Sequence, residues 1–342
     1  MPHRTFIWFI LPSALAMLLF IALPIVSVVV QSLYVEHQRV MVQVENCDPF
    51  GCTKELTVDT AAGEKLQREQ PLGRFNGLGT YLDRRHLAFS EIAGLWRTSS
   101  STLGFMNEVL QFPFYKALAF TLAYTFIVSP LVVVLGFIIA MAVNSLPSFV
   151  KGPVIFTSLL PMIITPLVGS LVLFWMIDAN GILGGSLQRL VGDPNLSLKA
   201  SSTLTWLTLF TYGTWSAVPF AFVVLYAGLQ TVPFDTLESA MVDGANRWER
   251  VRYVIIPHLM PLVLFIALIQ LMDNFRVFEP IVGFSAEAHA TSLSWIIFND
   301  LRSQGSPLFG SAAATSVLTI VGLSILMMPV LRRTWADFKV KQ

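Results

Sequence analysis

The chain has 342 residues, of which 54% are hydrophobic and 13% charged, with a mean hydropathy of +0.67. Soluble domains carry about 25% charged residues, so the composition excludes an ordinary soluble enzyme, and the apolar content excludes disorder. A net charge of +1 gives no basis for nucleic-acid binding, and two cysteines cannot make a disulfide scaffold or a Cys-rich metal site. An integral membrane protein remains.

With histidine set aside, the uncharged runs are 5–35, 117–150, 152–177, 200–234, 253–272 and 303–331. A bilayer core about 30 Å thick needs roughly 20 helical residues. Each run therefore makes one span, and the fold class is all-α with six transmembrane helices. Strands of a barrel would be about ten residues long with alternating polarity. Pro24, Pro130, Gly136, Pro166, Gly213, Pro219 and Gly322 lie inside the runs, which membrane helices tolerate when neighbours satisfy the freed backbone groups.

The first run exceeds the 7–15 apolar residues of a signal peptide and no small-residue cleavage pattern follows, so it reads as an uncleaved helix. If the N-terminus is cytoplasmic, the inside segments hold nine Lys and Arg and the short outside loops three, placing both termini inside. Four regions follow: 1–35, the N-terminus and helix 1; 36–116, a small extracytoplasmic insertion; 117–333, the membrane core with helices 2–6; and 334–342, a cytoplasmic tail.

The insertion is strand-like at 40–44 and 56–59, which predicts a small β-containing subdomain. It contains Cys47 and Cys52, which on this topology face an oxidising compartment, either as two free thiols or as a short-loop disulfide. The five histidines, His3, His37, His86, His258 and His289, are scattered without metal-ligand spacing, and no catalytic constellation emerges.

The inside loop 231–258 reads as two short helices with a break at Asp243-Gly244. Asp235 or Thr236 is the expected cap of the first helix. The second is amphipathic, with Trp248, Val251 and Val254 at helical spacing and Pro257 at the entry to the next span. Glu238-x-Ala240-x₃-Gly244-x₉-Val254-x-Ile256-Pro257 resembles the EAA motif of permease subunits in bacterial binding-protein-dependent ABC importers. Glu, the second Ala, Gly and Pro are in register, and Ser239 replaces one Ala. The resemblance covers residues 117–333. Asp243-Gly244-Ala245 and the 225–233 approach are similar to the carbohydrate, MalF-like branch. Phe278-Glu279-Pro280-Ile-Val-Gly283 departs from it, because the Gly-rich turn usual there is missing.

The resemblance implies a type I importer permease fold in the inner membrane. It implies that Glu238, Ser239, Ala240, Asp243, Gly244, Ala245 and Pro257 belong to a coupling element seated in a cytoplasmic ATPase. Glu238 would meet a basic group there, Ala240 would allow close approach, and Gly244 would supply the break. The expected partners are a second permease of similar fold, two ATPases that bind ATP and Mg, an extracytoplasmic solute-binding protein and the lipid bilayer. No cofactor is expected on this chain itself, which has no Gly-Lys dipeptide and hence no P-loop. A secondary carrier or channel for a small polar solute is the alternative.

Polar groups inside a span are costly, so they should line the path or hold it together. Gln270, Asp273 and Asn274 on the fifth span are candidates for a hydrogen-bonding wall, or for part of a structural ladder with Arg276 and Glu279 on one face. Tyr212 and Trp215 on the fourth span are candidates for an aromatic wall that packs on sugar C–H faces. Trp206 and Trp295 are expected at the membrane interfaces.

Overall fold

The computed structural model describes residues 3–37, 40–48, 51–99, 101–303 and 307–340. It divides into two compact units, one of residues 1–115 and 296–321, the other of 116–295 and 322–342.

The first unit opens with α1 (His3–Met17), a π turn (Leu18–Ala22) and α2 (Leu23–Gln31). The π turn lies directly ahead of Pro24. Proline has no N–H, and in a regular helix its ring would press on the carbonyl four residues back; the wider turn relieves that clash. Phe9 and Phe20 are more than three-quarters exposed, so in this chain the helix relies on lipid or another subunit for apolar contact. Strand β1 (Tyr34–Val35) precedes a hairpin of β2 (Met41–Asp48) and β3 (Gly51–Val58). The strands expected at 40–44 and 56–59 are thus present and longer. Helix α3 (Thr60–Glu69) is capped by Asp59, and β4 (Arg74–Phe75) pairs with β1. Short helices α4 (Gly79–Leu82), α5 (Phe89–Thr98) and α6 (Thr102–Val109) lead to α7 (Pro113–Asn144).

In the second unit α7 is followed by α8 (Ser148–Ile163) and α9 (Pro166–Met176). The single helix expected over 152–177 is instead two, bent by 94° at Ile164-Thr165. A residue before proline disfavours the helical region, and Thr165 is extended with ψ 142°. After α10 (Ile182–Val191), the long α11 (Ser202–Leu229) packs on α8. Then come α12 (Phe234–Val242), α13 (Arg247–Arg250), a π turn (Val251–Ile255) and α14 (Ile256–Phe275). Short α15 (Glu279–Gly283) packs on α9, and α16 (Leu293–Leu301) and α17 (Phe309–Val340) complete the chain. Among the described residues five helices are long and apolar enough to span a membrane, and six if the bent pair is one span.

The core of this unit centres on Phe120, Leu209, Phe222, Leu225, Leu259, Ile266 and Ile281, all essentially buried. Gly213 lets α11 approach α7, because a Cβ there would collide with the Tyr124 hydroxyl. Small residues at helix contacts serve packing in lipid, where the solvent is as apolar as the helix surface.

Within the first unit His86 is 1% exposed. Its Nε2 lies 3.2 Å from the Ser311 carbonyl and 3.1 Å from Thr315 Oγ1. A carbonyl only accepts, so Nε2 carries the proton and donates. Nδ1 is buried without a partner among the described residues. Burial lowers the His86 pKa below its usual value, against the opposing pull of the Ser311 carbonyl and of Asp300 and Asp83. A depressed histidine pKa means that the unfolded state binds the extra proton more readily. His86 therefore opposes folding as pH falls below about 6.5, and this penalty is absent above it. Thermal unfolding in detergent should show a greater loss of stability from pH 7.5 to pH 5 in the parent chain than in His86→Gln; equal losses would refute this assignment.

Candidate functional site

The loop between α11 and α14 is built from backbone capping. The first helix, α12, starts after Pro233, which offers no side-chain hydrogen bond, so neither Asp235 nor Thr236 is its cap. Both lie inside the helix, Asp235 in its first turn, where a carboxylate is favoured by the dipole. The helix ends in a Schellman motif. Ala245 N–H donates to Ala240 C=O at 2.9 Å, Gly244 N–H donates to Met241 C=O at 3.1 Å, and Gly244 has φ +83°. This closure needs a left-handed residue four positions after the carbonyl it satisfies, which only glycine adopts freely. The Ala240-x₃-Gly244 spacing is therefore a helix stop.

The next turn restarts at Asn246 in a capping box. Glu249 N–H donates to Asn246 Oδ1 at 2.9 Å, and Asn246 N–H donates to Glu249 Oε2 at 2.8 Å. Sequence reading missed it, although Asn246-x-x-Glu249 is the signature of such a box. The π turn Val251–Ile255 then runs into α14 ahead of Pro257, as the first π turn does ahead of Pro24. Glu238, Ser239, Asp243, Gly244 and Pro257 are exposed, while Ala240 and Ala245 are partly buried. Exposed apolar side chains accompany them, with Val242 87% and Phe234 69% accessible.

In the membrane portion, Asn274 and Gln270 are buried on α14. Asn274 Nδ2 donates to Ser129 Oγ on α7 at 3.0 Å and lies 3.3 Å from Gln270 Oε1. Asp273 is exposed and pairs with Arg276 at 2.9 Å. The ladder expected to continue to Glu279 is interrupted: α14 ends at Phe275, and Glu279 begins α15. Three-residue spacing puts groups on one face only while the helix lasts.

Tyr212 is buried, and its hydroxyl donates to Pro166 C=O at 2.7 Å, joining α11 to the first turn of α9 just beyond the break. Trp215, 49% exposed, stands between two cavities. One, of about 490 Å³, is bounded by α9 and α11 and includes Thr208 and Tyr212; the other, of about 560 Å³, is bounded by α7, α8 and α11 and includes Thr157, Ser158 and Thr214. Leu207, Thr211 and Trp215 line both. Thr214 Oγ1 is buried with no hydrogen-bond partner among the described residues. Sequence reading passed over Thr214 and Ser129, since hydroxyls in membrane helices usually bond their own backbone, as Thr211 does to Leu207 C=O. Trp206, expected at an interface, is partly buried, and its Nε1–H donates to His289 C=O at 3.0 Å. Trp295 is also partly buried, against the core. Among the described residues no group of three metal-ligating side chains is assembled.

Residues 100–331 match the family described as binding-protein-dependent transport system inner membrane component. The chain belongs to this family. It is 28% identical over 249 residues to a probable ABC transporter permease protein, y4oQ, of Sinorhizobium fredii, covering 70% of this chain and 77% of that one. It is 34% identical over 110 residues to the trehalose/maltose transport system permease MalF of Thermococcus litoralis, covering 31% and 36%. That match spans about a third of the relative's length. It is 24% identical over 247 residues to the sn-glycerol-3-phosphate permease UgpA of Yersinia pestis, covering 69% and 82%. Its fold is similar to that of a chain in a bacterial alginate ABC transporter complexed with an alginate-bound periplasmic protein. There the TM-score is 0.56 and identity 19%, over 71% of this chain and 85% of that one.

The chain is therefore a multi-pass inner-membrane permease of the carbohydrate ABC transporter family. The permease's EAA loop depends on the Asn246 cap, whose loss costs about 1 kcal/mol, or roughly fivefold in local opening. Hydrogen exchange should therefore be roughly fivefold faster across residues 247–255 in Asn246→Ala while α12 is unaffected. Unchanged exchange would show that the capping box does not hold this segment.

Proposed function

We propose that this permease forms half of the translocation path for a sugar or sugar-like solute, such as a polyol, glycoside or sugar derivative, and works by alternating access. Separate ATPases supply the energy through the loop 231–258, and an extracytoplasmic binding protein delivers the solute. Both termini and this loop are cytoplasmic, and residues 36–116 lie outside.

The observation that carries this reading is the loop itself. Helix α12 exposes Glu238 together with Phe234, Met241 and Val242, and ends at a left-handed Gly244 that fixes its angle to the following turn. An exposed apolar helix with a rigid stop suits insertion into a cleft on another subunit, which would bury the apolar side chains. ATP and Mg belong to the ATPases in this scheme. The wall of the path consists of Trp215 with Thr211 and Thr214, while Gln270 and Asn274, buried and bonded to each other and to Ser129, tie α14 to α7. Aromatic faces pack on sugar C–H groups, and a hydroxyl without a partner among the described residues, such as that of Thr214, exchanges hydrogen bonds with solute hydroxyls. Tyr212 acts one step back, by holding the break that shapes the cavity beside Trp215.

In proteoliposomes with partner permease, ATPases and binding protein, Glu238→Ala and Gly244→Val should abolish uptake and ATPase co-purification without preventing membrane insertion. A valine forced to a left-handed φ costs roughly 1–2 kcal/mol, enough to spoil the loop's angle but not a membrane domain. Uptake that survives both changes would sink the coupling assignment. Trp215→Ala and Thr214→Val should lower uptake at least tenfold at normal expression, and normal uptake by both would displace the path from this cavity. The broken α8–α9 span is a feature that a carrier working without ATP would share. Uptake that follows an ion gradient in ATP-free vesicles would favour that reading.

A further inference from the structure

We infer that Cys47 and Cys52 form a cross-strand disulfide that staples the β2–β3 hairpin. Their side chains lie outside the described set, and the inference stands on backbone register. Pairing is unbroken from Met41↔Val58 to Asp48↔Gly51, with Cys47 opposite Cys52. Beyond the hairpin's base, Asp59 N–H donates to Val40 C=O at 2.8 Å. An antiparallel ladder forms its hydrogen bonds only within alternate residue pairs. Val40 and Asp59 are thus a hydrogen-bonded pair, and every second pair along the same register is another: Val42 with Thr57, Val44 with Glu55, Asn46 with Thr53.

Cys47 and Cys52 fall in the intervening, non-hydrogen-bonded set. Such pairs bring side chains closest, with Cα atoms about 4.5 Å apart, inside the roughly 4.4–6.8 Å range that disulfides span. The same set puts Glu45 opposite Lys54 beside the cysteines, a charge pair that disfavours slippage of the register. A covalent staple also suits this hairpin. A lone two-stranded ribbon is marginal in water, and Val44 and Leu56 are exposed.

Bond formation needs an oxidant, which is the disulfide of a thiol–disulfide exchange protein outside the cytoplasm. One cysteine thiolate attacks that disulfide, forming a mixed disulfide and expelling one thiolate. The second cysteine attacks the mixed bond, the Cys47–Cys52 bond forms, and the oxidant leaves as a dithiol. Two electrons and the two thiol protons pass from the hairpin to the oxidant. The inference rests on the proposed placement of residues 36–116 outside the membrane.

The test uses the full-length protein in intact cells, quenched in acid and tagged with a maleimide that shifts its mass. Two tags should appear only after reduction, with no cross-linked dimer on a non-reducing gel. Cys47→Ser and Cys52→Ser should each take one tag without reduction, from a membrane-impermeant reagent. Two tags on the unreduced parent chain, with the single variants still reached from outside, would overturn the disulfide and leave the topology standing. Labelling only by a permeant reagent would overturn the topology and the disulfide with it. A dimer lost on reduction would assign the cysteines to a contact between copies and also overturn the proposal.

Discussion

The structure depends on one constraint: a backbone group inside hydrocarbon must find its partner within the protein. A clear instance is the break at Ile164-Thr165, where a span turns through 94°: Gly169 N–H, in the first turn of α9, finds Thr165 C=O at 2.9 Å, and the Tyr212 hydroxyl, on a buried residue, donates to Pro166 C=O at 2.7 Å. That hydrogen bond joins the fourth span to the second half of the third. Ser170 on α9 lies 3.4 Å from Glu279 C=O, so α9 is tied to α15 as well. The bent span is thereby held from two sides, and the cavities beside Trp215 take their shape from it.

The same requirement organises the loop 231–258. Its orphaned helix-end groups are closed by the Schellman motif at Gly244 and the capping box at Asn246. What looks like a recognition motif in sequence is thus largely a pair of back-to-back helix caps, which leaves Glu238 and the neighbouring apolar side chains exposed.

Polar side chains in the membrane portion fall into two sorts. Asn274, Gln270 and Ser129 bond one another across α14 and α7. Such interhelical bonds are worth about 0.6 kcal/mol on average, so they orient helices more than they stabilise them. Thr214, by contrast, has no hydrogen-bond partner among the described residues and lies beside a cavity and half-exposed Trp215. An unpaired hydroxyl carries a desolvation cost of about 1–3 kcal/mol, which a hydroxylated solute would remove.

Much was legible in the sequence because hydrophobicity acts locally. Uncharged runs of sufficient length located the spans, and the Asp243-Gly244 turn located the break in the loop. The strands at 40–44 and 56–59 also showed in residue type. Proline marked every place where a helix could fail, but not where it does: Pro130, Pro219 and Pro261 sit inside continuous helices, whereas the break comes at Pro166. Only the tertiary structure decides this, since a span bent by 94° needs neighbours that hold it, and here α11 and α15 do so through Tyr212 and the Glu279 carbonyl. The end of α14 before Glu279, the pairing of Asn274 with Ser129, and the isolation of Thr214 were hidden for the same reason. Each depends on which helices become neighbours, and that contact is set by packing across the fold rather than by the order of residues along one segment.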